Sequence, residues 1–110
     1  MTKEEYLSIG KKYLDYCKFN DCFYIPGKTR WFNWAYQVAE FKANGYASIY
    51  CNCILDDEGD IITSVSCIEV NEPSEFEDAI KKFQKSYKEA LVELKKCDID
   101  KDFVWLEMLP

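Results

Sequence analysis

The chain has 110 residues, 31% charged and 16% aromatic, with a formal charge of −6 and no histidine. That length suits one domain (1–110) with one core, and the composition excludes intrinsic disorder. It lacks a membrane-length apolar run, the basic balance that phosphate backbones require, and every imidazole-based triad or metal site. Met-Thr-Lys-Glu-Glu at the N-terminus has no signal-peptide layout, so the expected location is cytoplasmic.

Thr2-Lys-Glu-Glu5 has the capping-box form and predicts a helix. Tyr6, Ile9, Tyr13, Tyr16 and Cys17 fall at helical spacing and carry that helix to about Lys18, with Gly10 a weak point inside it. Cys22-Phe-Tyr-Ile25 then predicts an edge strand closed by a Pro26-Gly27 turn.

From Arg30 to Leu55 the residues predict a β-hairpin folded at Asn44-Gly45, a pair suited to a two-residue turn with positive φ at both positions. Counting outward from Ala43 opposite Tyr46 sets Val38 against Cys51, Tyr36 against Cys53 and Trp34 against Leu55. Phe32, Trp34, Tyr36, Val38, Ile49, Cys51, Cys53 and Leu55 then share a core face. The alternative is a helix through Trp31, Trp34, Ala35, Val38 and Phe41, ended by Gly45. Strands account better for the alternation.

Asp56-Asp-Glu-Gly-Asp60 predicts a second turn with Gly59 in the left-handed region, leading to a third strand, Ile61 to Val70. Leu55 opposite Ile61 sets Cys51 against Val65 and Ile49 against Cys67. After Pro73, Ser74-Glu-Phe-Glu77 again has the capping-box form, and Phe76, Ile80, Phe83, Tyr87, Leu91 and Leu94 make a helical stripe. Asp98 to Asp102 predicts a connection, and Phe103 to Leu109 a buried strand or a short helix. The expected fold class is therefore α+β: an N-terminal helix, a three-stranded antiparallel meander with a possible extra edge strand, and a long C-terminal helix on one sheet face.

Chemistry-bearing spacings are few. Gly27-Lys28-Thr29 lacks the earlier glycine of a phosphate-binding loop, and Asp98, Asp100 and Asp102 lack the glycine and final glutamate of a calcium loop. The six cysteines read as buried thiols. The alternative is a zinc or redox site at Cys51, Cys53 and Cys67, the only cofactor the spacing allows. Cys22, near Lys18, Lys28 and Arg30, is the candidate for a reactive thiol. No pair of residues is spaced for acid–base or nucleophilic catalysis, which makes a non-enzymatic protein the expectation.

The carboxylates Asp56, Asp57, Glu58, Asp60, Glu69, Glu72 and Glu75 are the candidate binding residues, directed at a basic protein partner. Helix, meander, helix is also the order of the double-stranded RNA-binding domain, but a last helix beginning Ser-Glu-Phe-Glu-Asp repels phosphate, so direct nucleic-acid binding is not expected. In size, charge and element order the chain resembles phage-encoded inhibitors of bacterial defence nucleases, such as anti-CRISPR proteins. The resemblance implies an acidic inhibitor of a nuclease or another nucleic-acid-handling enzyme. The alternatives are a cysteine-based metal or thiol-redox protein and a toxin-neutralising immunity protein.

Overall fold

The computed structural model describes residues 1–18, 21–28, 33–57, 59, 61–63 and 65–107, with side chains for all of these except 26–28, 33–35 and 97–107. Among them are two helices, α1 (Lys3–Gly10) and α2 (Pro73–Glu107), and seven strands. The strands are β1 (Asp15–Cys17), β2 (Cys22–Lys28), β3 (Asn33–Phe41), β4 (Ala47–Tyr50), β5 (Ile54–Leu55), β6 (Ile61–Ile62) and β7 (Cys67–Val70). Five strands form one antiparallel sheet in the order β1-β2-β3-β4-β7, and β5 with β6 makes a separate small hairpin. The fold is the expected α+β class. No described helix is long and apolar enough to cross a membrane.

Both helices cover the same sheet face. Tyr6 of α1 is fully buried, with its ring 4.9 Å from Phe23 of β2, 5.0 Å from Phe41 of β3 and 5.1 Å from Phe76 of α2. Phe76, Ala79, Ile80, Phe83 and Ala90 continue the buried stripe of α2 at spacings of three and four, apart from the step to Ala90, and Tyr87, Leu91 and Leu94 pack beside it. At 1.5 Å per residue the 35 residues of α2 measure about 52 Å, whereas the nine residues of β3 measure about 30 Å. The helix therefore outruns the sheet it covers.

The N-terminal helix is shorter than its stripe predicts. Its capping box forms as expected, with the Glu5 N–H donating to the Thr2 hydroxyl at 3.1 Å and the Thr2 N–H to the Glu5 carboxylate at 3.0 Å. It stops at Gly10, and Asp15–Cys17 turns back as an edge strand on β2. Tyr16 gains more there than a helix offers: its ring lies 5.4 Å from Phe23 and its hydroxyl donates to Asp21 at 2.7 Å. Asp21 bends the chain at φ 52°, a conformation a short polar side chain tolerates. The Tyr6 hydroxyl donates to its carbonyl at 2.8 Å, and Lys3 pairs with its carboxylate at 3.1 Å.

The Tyr16 hydrogen bond, and then Lys3, holds the Asp21 carboxyl below its usual range; Tyr13 and then Lys81 do the same for Glu77. A carboxylate whose pKa is depressed on folding adds stability that is present above the unfolded value, near pH 4, and is lost as pH falls through the folded value. Thermal melts from pH 7 to pH 2 should therefore show an acid limb, and Asp21→Asn should make it shallower. An unchanged limb in that variant would mean Asp21 is not part of it.

β2, expected as an edge strand, lies between β1 and β3 over Cys22–Tyr24, and it does not end at Pro26-Gly27 but runs on to Lys28 against β3. Proline is tolerated because β1 pairs with β2 only from Cys22 to Tyr24, leaving the rest of β2 at the sheet margin among the described residues.

The hairpin of β3 and β4 turns where Asn44-Gly45 predicts, but with a different turn. Ala39 faces Ile49 and Phe41 faces Ala47, one residue out of the expected register. Only Gly45 of the pair has positive φ, +84°, and the Lys42 N–H donates to the Tyr46 carbonyl at 2.8 Å around the three residues between them. This is a three-residue loop ending in a left-handed glycine. Gly45→Val forces a β-branched residue into that region and should cost about 1–2 kcal/mol. Chemical denaturation checks it; an unchanged midpoint would contradict the turn.

Such a slip should turn a strand inside out, yet Val38 and Ala39 are buried side by side at 0% and 1% exposure. The cause is a bulge: Phe23 pairs with Ala39 and Tyr24 with Gln37, leaving Val38 extra. Val38, Ile49, Cys51 and Cys53 are thus on the expected core side, and Leu55 and Tyr36 are half-buried. Arg30 to Phe32 and the Trp34 side chain lie outside what is described.

The third strand is split. Leu55 faces Ile61 as expected, but Ile49 faces Ile68 and Tyr50 faces Cys67, so one extra residue separates β6 from β7. The gap is closed by side chains: the Cys53 N–H donates to the Ser86 hydroxyl at 2.8 Å, and that hydroxyl donates to the Cys53 carbonyl at 3.2 Å.

The second capping box does not form. α2 opens at Pro73, which needs no hydrogen bond at the first helical position, and Glu77 instead accepts from Tyr13 at 2.9 Å. No break occurs at Asp98 to Asp102, and the tail continues as helix to Glu107. Met108 to Pro110 lie outside the described residues.

Candidate functional site

The seven candidate carboxylates fall in two places. Asp57 is exposed and Asp56 half-buried in the β5–β6 turn, where Gly59 has φ +86°; Glu58 and Asp60 lie outside the described residues. A Cβ on Gly59 would sit 3.9 Å from the Leu94 side chain, which places this turn far along α2. Glu69 is on β7, Glu72 on the two-residue link after it and Glu75 in the first turn of α2, all exposed. Nineteen helical residues from Glu75 to Leu94 amount to about 28 Å, so the turn and the β7 corner are separate.

The corner is the denser of the two. Glu69, Glu72 and Glu75 are joined by Asp78, one helical turn on from Glu75, which is not among the seven candidate binding residues. Among the described residues Glu69 pairs with Lys42 across the open sheet face, and Glu72, Glu75 and Asp78 make no ion pair. The Glu69 carboxylate in turn raises the Lys42 pKa. A shallow groove of about 340 Å³ runs between β7 and α2, with Ile68, Val70 and Ala79 on its apolar side and Glu75, Asp78 and Lys82 along its rim. Ile68 is 42% exposed there.

The cysteines expected together are not brought together. Cys51 and Cys53 are buried, whereas the extra residue before β7 turns Cys67 to the open face, beside Lys42 and Glu69. Burial pushes the Cys53 thiol up to about 11, which keeps it protonated at neutral pH. Among the described residues no three cysteine or carboxylate side chains are placed to hold one metal ion. Cys22 is buried, and desolvation, then Glu40, Cys17 and Asp21, raise its pKa; the Lys28 side chain and Arg30 lie outside what is described.

The structure adds one pairing that spacing did not suggest. Cys17 and Cys22 are direct partners across the β1–β2 turn. A turn signal was present in Asn20-Asp21, but the helical spacing of Tyr13, Tyr16 and Cys17 masked it. Protein-family models, curated proteins and solved structures all yield no match to this chain.

Proposed function

We propose that this chain is a non-enzymatic interaction protein that binds a basic protein through the corner where β7 meets α2. The observation that carries the reading is that Glu69, Glu72, Glu75 and Asp78 lie exposed about one corner, three of them without an ion pair among the described residues. Glu75 and Asp78 stand three residues apart on α2, a spacing that leaves about 5–6 Å between side-chain roots on a helix, and Glu72 directly precedes the Pro73 that opens it. Such a row of negative charge suits a surface that holds a phosphate backbone, so the partner class is a nuclease or another nucleic-acid-handling enzyme, and the effect of binding is inhibition. An immunity protein for a basic toxin is the same chemistry with a different partner.

The test is capture of a partner by the wild-type chain and by Glu69→Lys/Glu72→Lys/Glu75→Lys, with duplex DNA as competitor. The reading expects capture to fall about tenfold or more in the triple variant and DNA to displace the chain. A partner held equally by both chains and indifferent to DNA overturns it.

A second reading, a thiol-redox protein, is favoured by the Cys17–Cys22 pairing. Directly opposed residues in antiparallel strands have Cα atoms about 4.5 or 5.5 Å apart, and both values lie within the range of about 4.4–6.8 Å that a disulfide spans. With hydrogen peroxide as oxidant, the two thiols give up two protons and two electrons to form the S–S bond, and the peroxide becomes two waters. Mass mapping after peroxide should find Cys17 joined to Cys22; a bond elsewhere, or none, removes this reading.

A further inference from the structure

β7 is the last strand of its sheet among the described residues, and its outer side has no partner strand. Which backbone groups face outward follows from one hydrogen bond. The Cys51 N–H donates to the Ser66 carbonyl at 3.1 Å, so Ser66 points its N–H and C=O inward, toward β4. In an antiparallel strand the direction alternates, which turns Ile68 and Val70 inward and Cys67 and Glu69 outward. The next outward carbonyl, Asn71, confirms the phase by accepting from the Met1 amino group at 2.6 Å. Cys67 and Glu69 thus present two N–H and two C=O groups at an open edge.

The two faces beside that edge differ. On the helix side lies the groove of Ile68, Val70 and Ala79, rimmed by Glu75 and Asp78; on the open side lie Glu69 and the thiol of Cys67. An added strand would place alternate side chains over the apolar groove and over the carboxylates. We infer that β7 takes an extended segment of the basic partner as a sixth strand, one that alternates an apolar residue with lysine or arginine. This rests on the acidic-interaction reading and states how it works. Charge complementarity selects the occupant: a second copy of this chain would bring Glu69, Glu72 and Glu75 against their own counterparts, and like charges across a strand pair repel.

The probe is a blocked eight-residue peptide alternating lysine and valine, added to the isotope-labelled chain at low salt. The expected result is that hydrogen exchange of the Cys67 and Glu69 amides slows tenfold or more at saturation, while the already bonded Ile68 amide changes little. Cys67→Pro removes one outward N–H at an edge position where proline is accommodated, and should weaken peptide binding about tenfold relative to Cys67→Ser. Should Cys67→Pro not fold, the exchange measurement on the wild-type chain still decides.

A peptide that binds without protecting the two amides, or does not bind, overturns strand addition. A matching glutamate–valine peptide that binds as well overturns the choice of occupant. So does protection that grows with protein concentration and no peptide, since that is self-pairing. If the two amides are protected but Glu72→Lys/Glu75→Lys leaves the affinity unchanged, the acidic reading fails and strand addition stands.

Discussion

Truncating Tyr6 to alanine should cost about 3–5 kcal/mol, in the range of large aromatic truncations from a core and a large part of the roughly 5–15 kcal/mol that holds a small domain together. The residue is fully buried, and its ring touches Phe23 and Phe41 of the sheet and Phe76 of α2. Losing it removes a contact shared by α1, the sheet and α2. Tyr6→Phe separates the ring from its hydroxyl: it keeps the packing, leaves the Asp21 carbonyl without its donor, and should cost about 1–2 kcal/mol. Urea denaturation of both variants reads the difference. Equal losses would mean that the hydroxyl, not the ring, carries the contribution.

Gly10→Ala tests the core from the other direction. By helix propensity alone it should stabilise by about 1 kcal/mol. The structure reverses the sign, because a Cβ on Gly10 would lie inside contact distance of three atoms of the Phe23 ring, which is itself fully buried between Tyr6 and Tyr16. The ring cannot move without displacing its neighbours, so the expected outcome is a loss of about 1–3 kcal/mol, typical of overpacking. A more stable Gly10→Ala variant would show that α1 does not pack on β2 in this way.

Gly10 also shows where sequence reasoning stops. Its place in a helical stripe was legible, and its reason for being glycine was not, because the ring that excludes a side chain comes from thirteen residues later. The stripe of α2, the place of the turn at Asn44-Gly45 and the pairing of Leu55 with Ile61 are local patterns and emerge as read, whereas the type of that turn does not. Register and face depend on single residues. One bulge puts Val38 and Ala39 together in the core, one extra residue before β7 turns Cys67 away from Cys51 and Cys53, and neither has a compositional mark. β1 was hidden for a related reason: Tyr13, Tyr16 and Cys17 fit a helix equally well, and the contacts of Tyr16 with Phe23 and Asp21 hold it on the sheet instead.

The acidic candidates follow the same division. Charge balance pointed to Glu69, Glu72 and Glu75, and the order of strand, link and helix was enough to set them near one another. That Asp78 completes the corner required the groove between β7 and α2, and that the Asp56–Asp57 turn stands about 28 Å away by helical rise required the place of Gly59 beside Leu94. The corner combines charge, an apolar groove and two open backbone positions; the distant turn offers carboxylates beside the exposed Ile54 and Ile62.

The central claim is that exposed carboxylates at the β7 corner hold a basic partner. Its most direct measurement is the affinity of the captured partner for the wild-type chain across a salt series from about 50 to 300 mM, over which the screening length falls from roughly 14 to 6 Å. The account predicts a steep loss of affinity with salt that flattens in Glu69→Lys/Glu72→Lys/Glu75→Lys. An affinity that stays level with salt, and is the same in both chains, would contradict it.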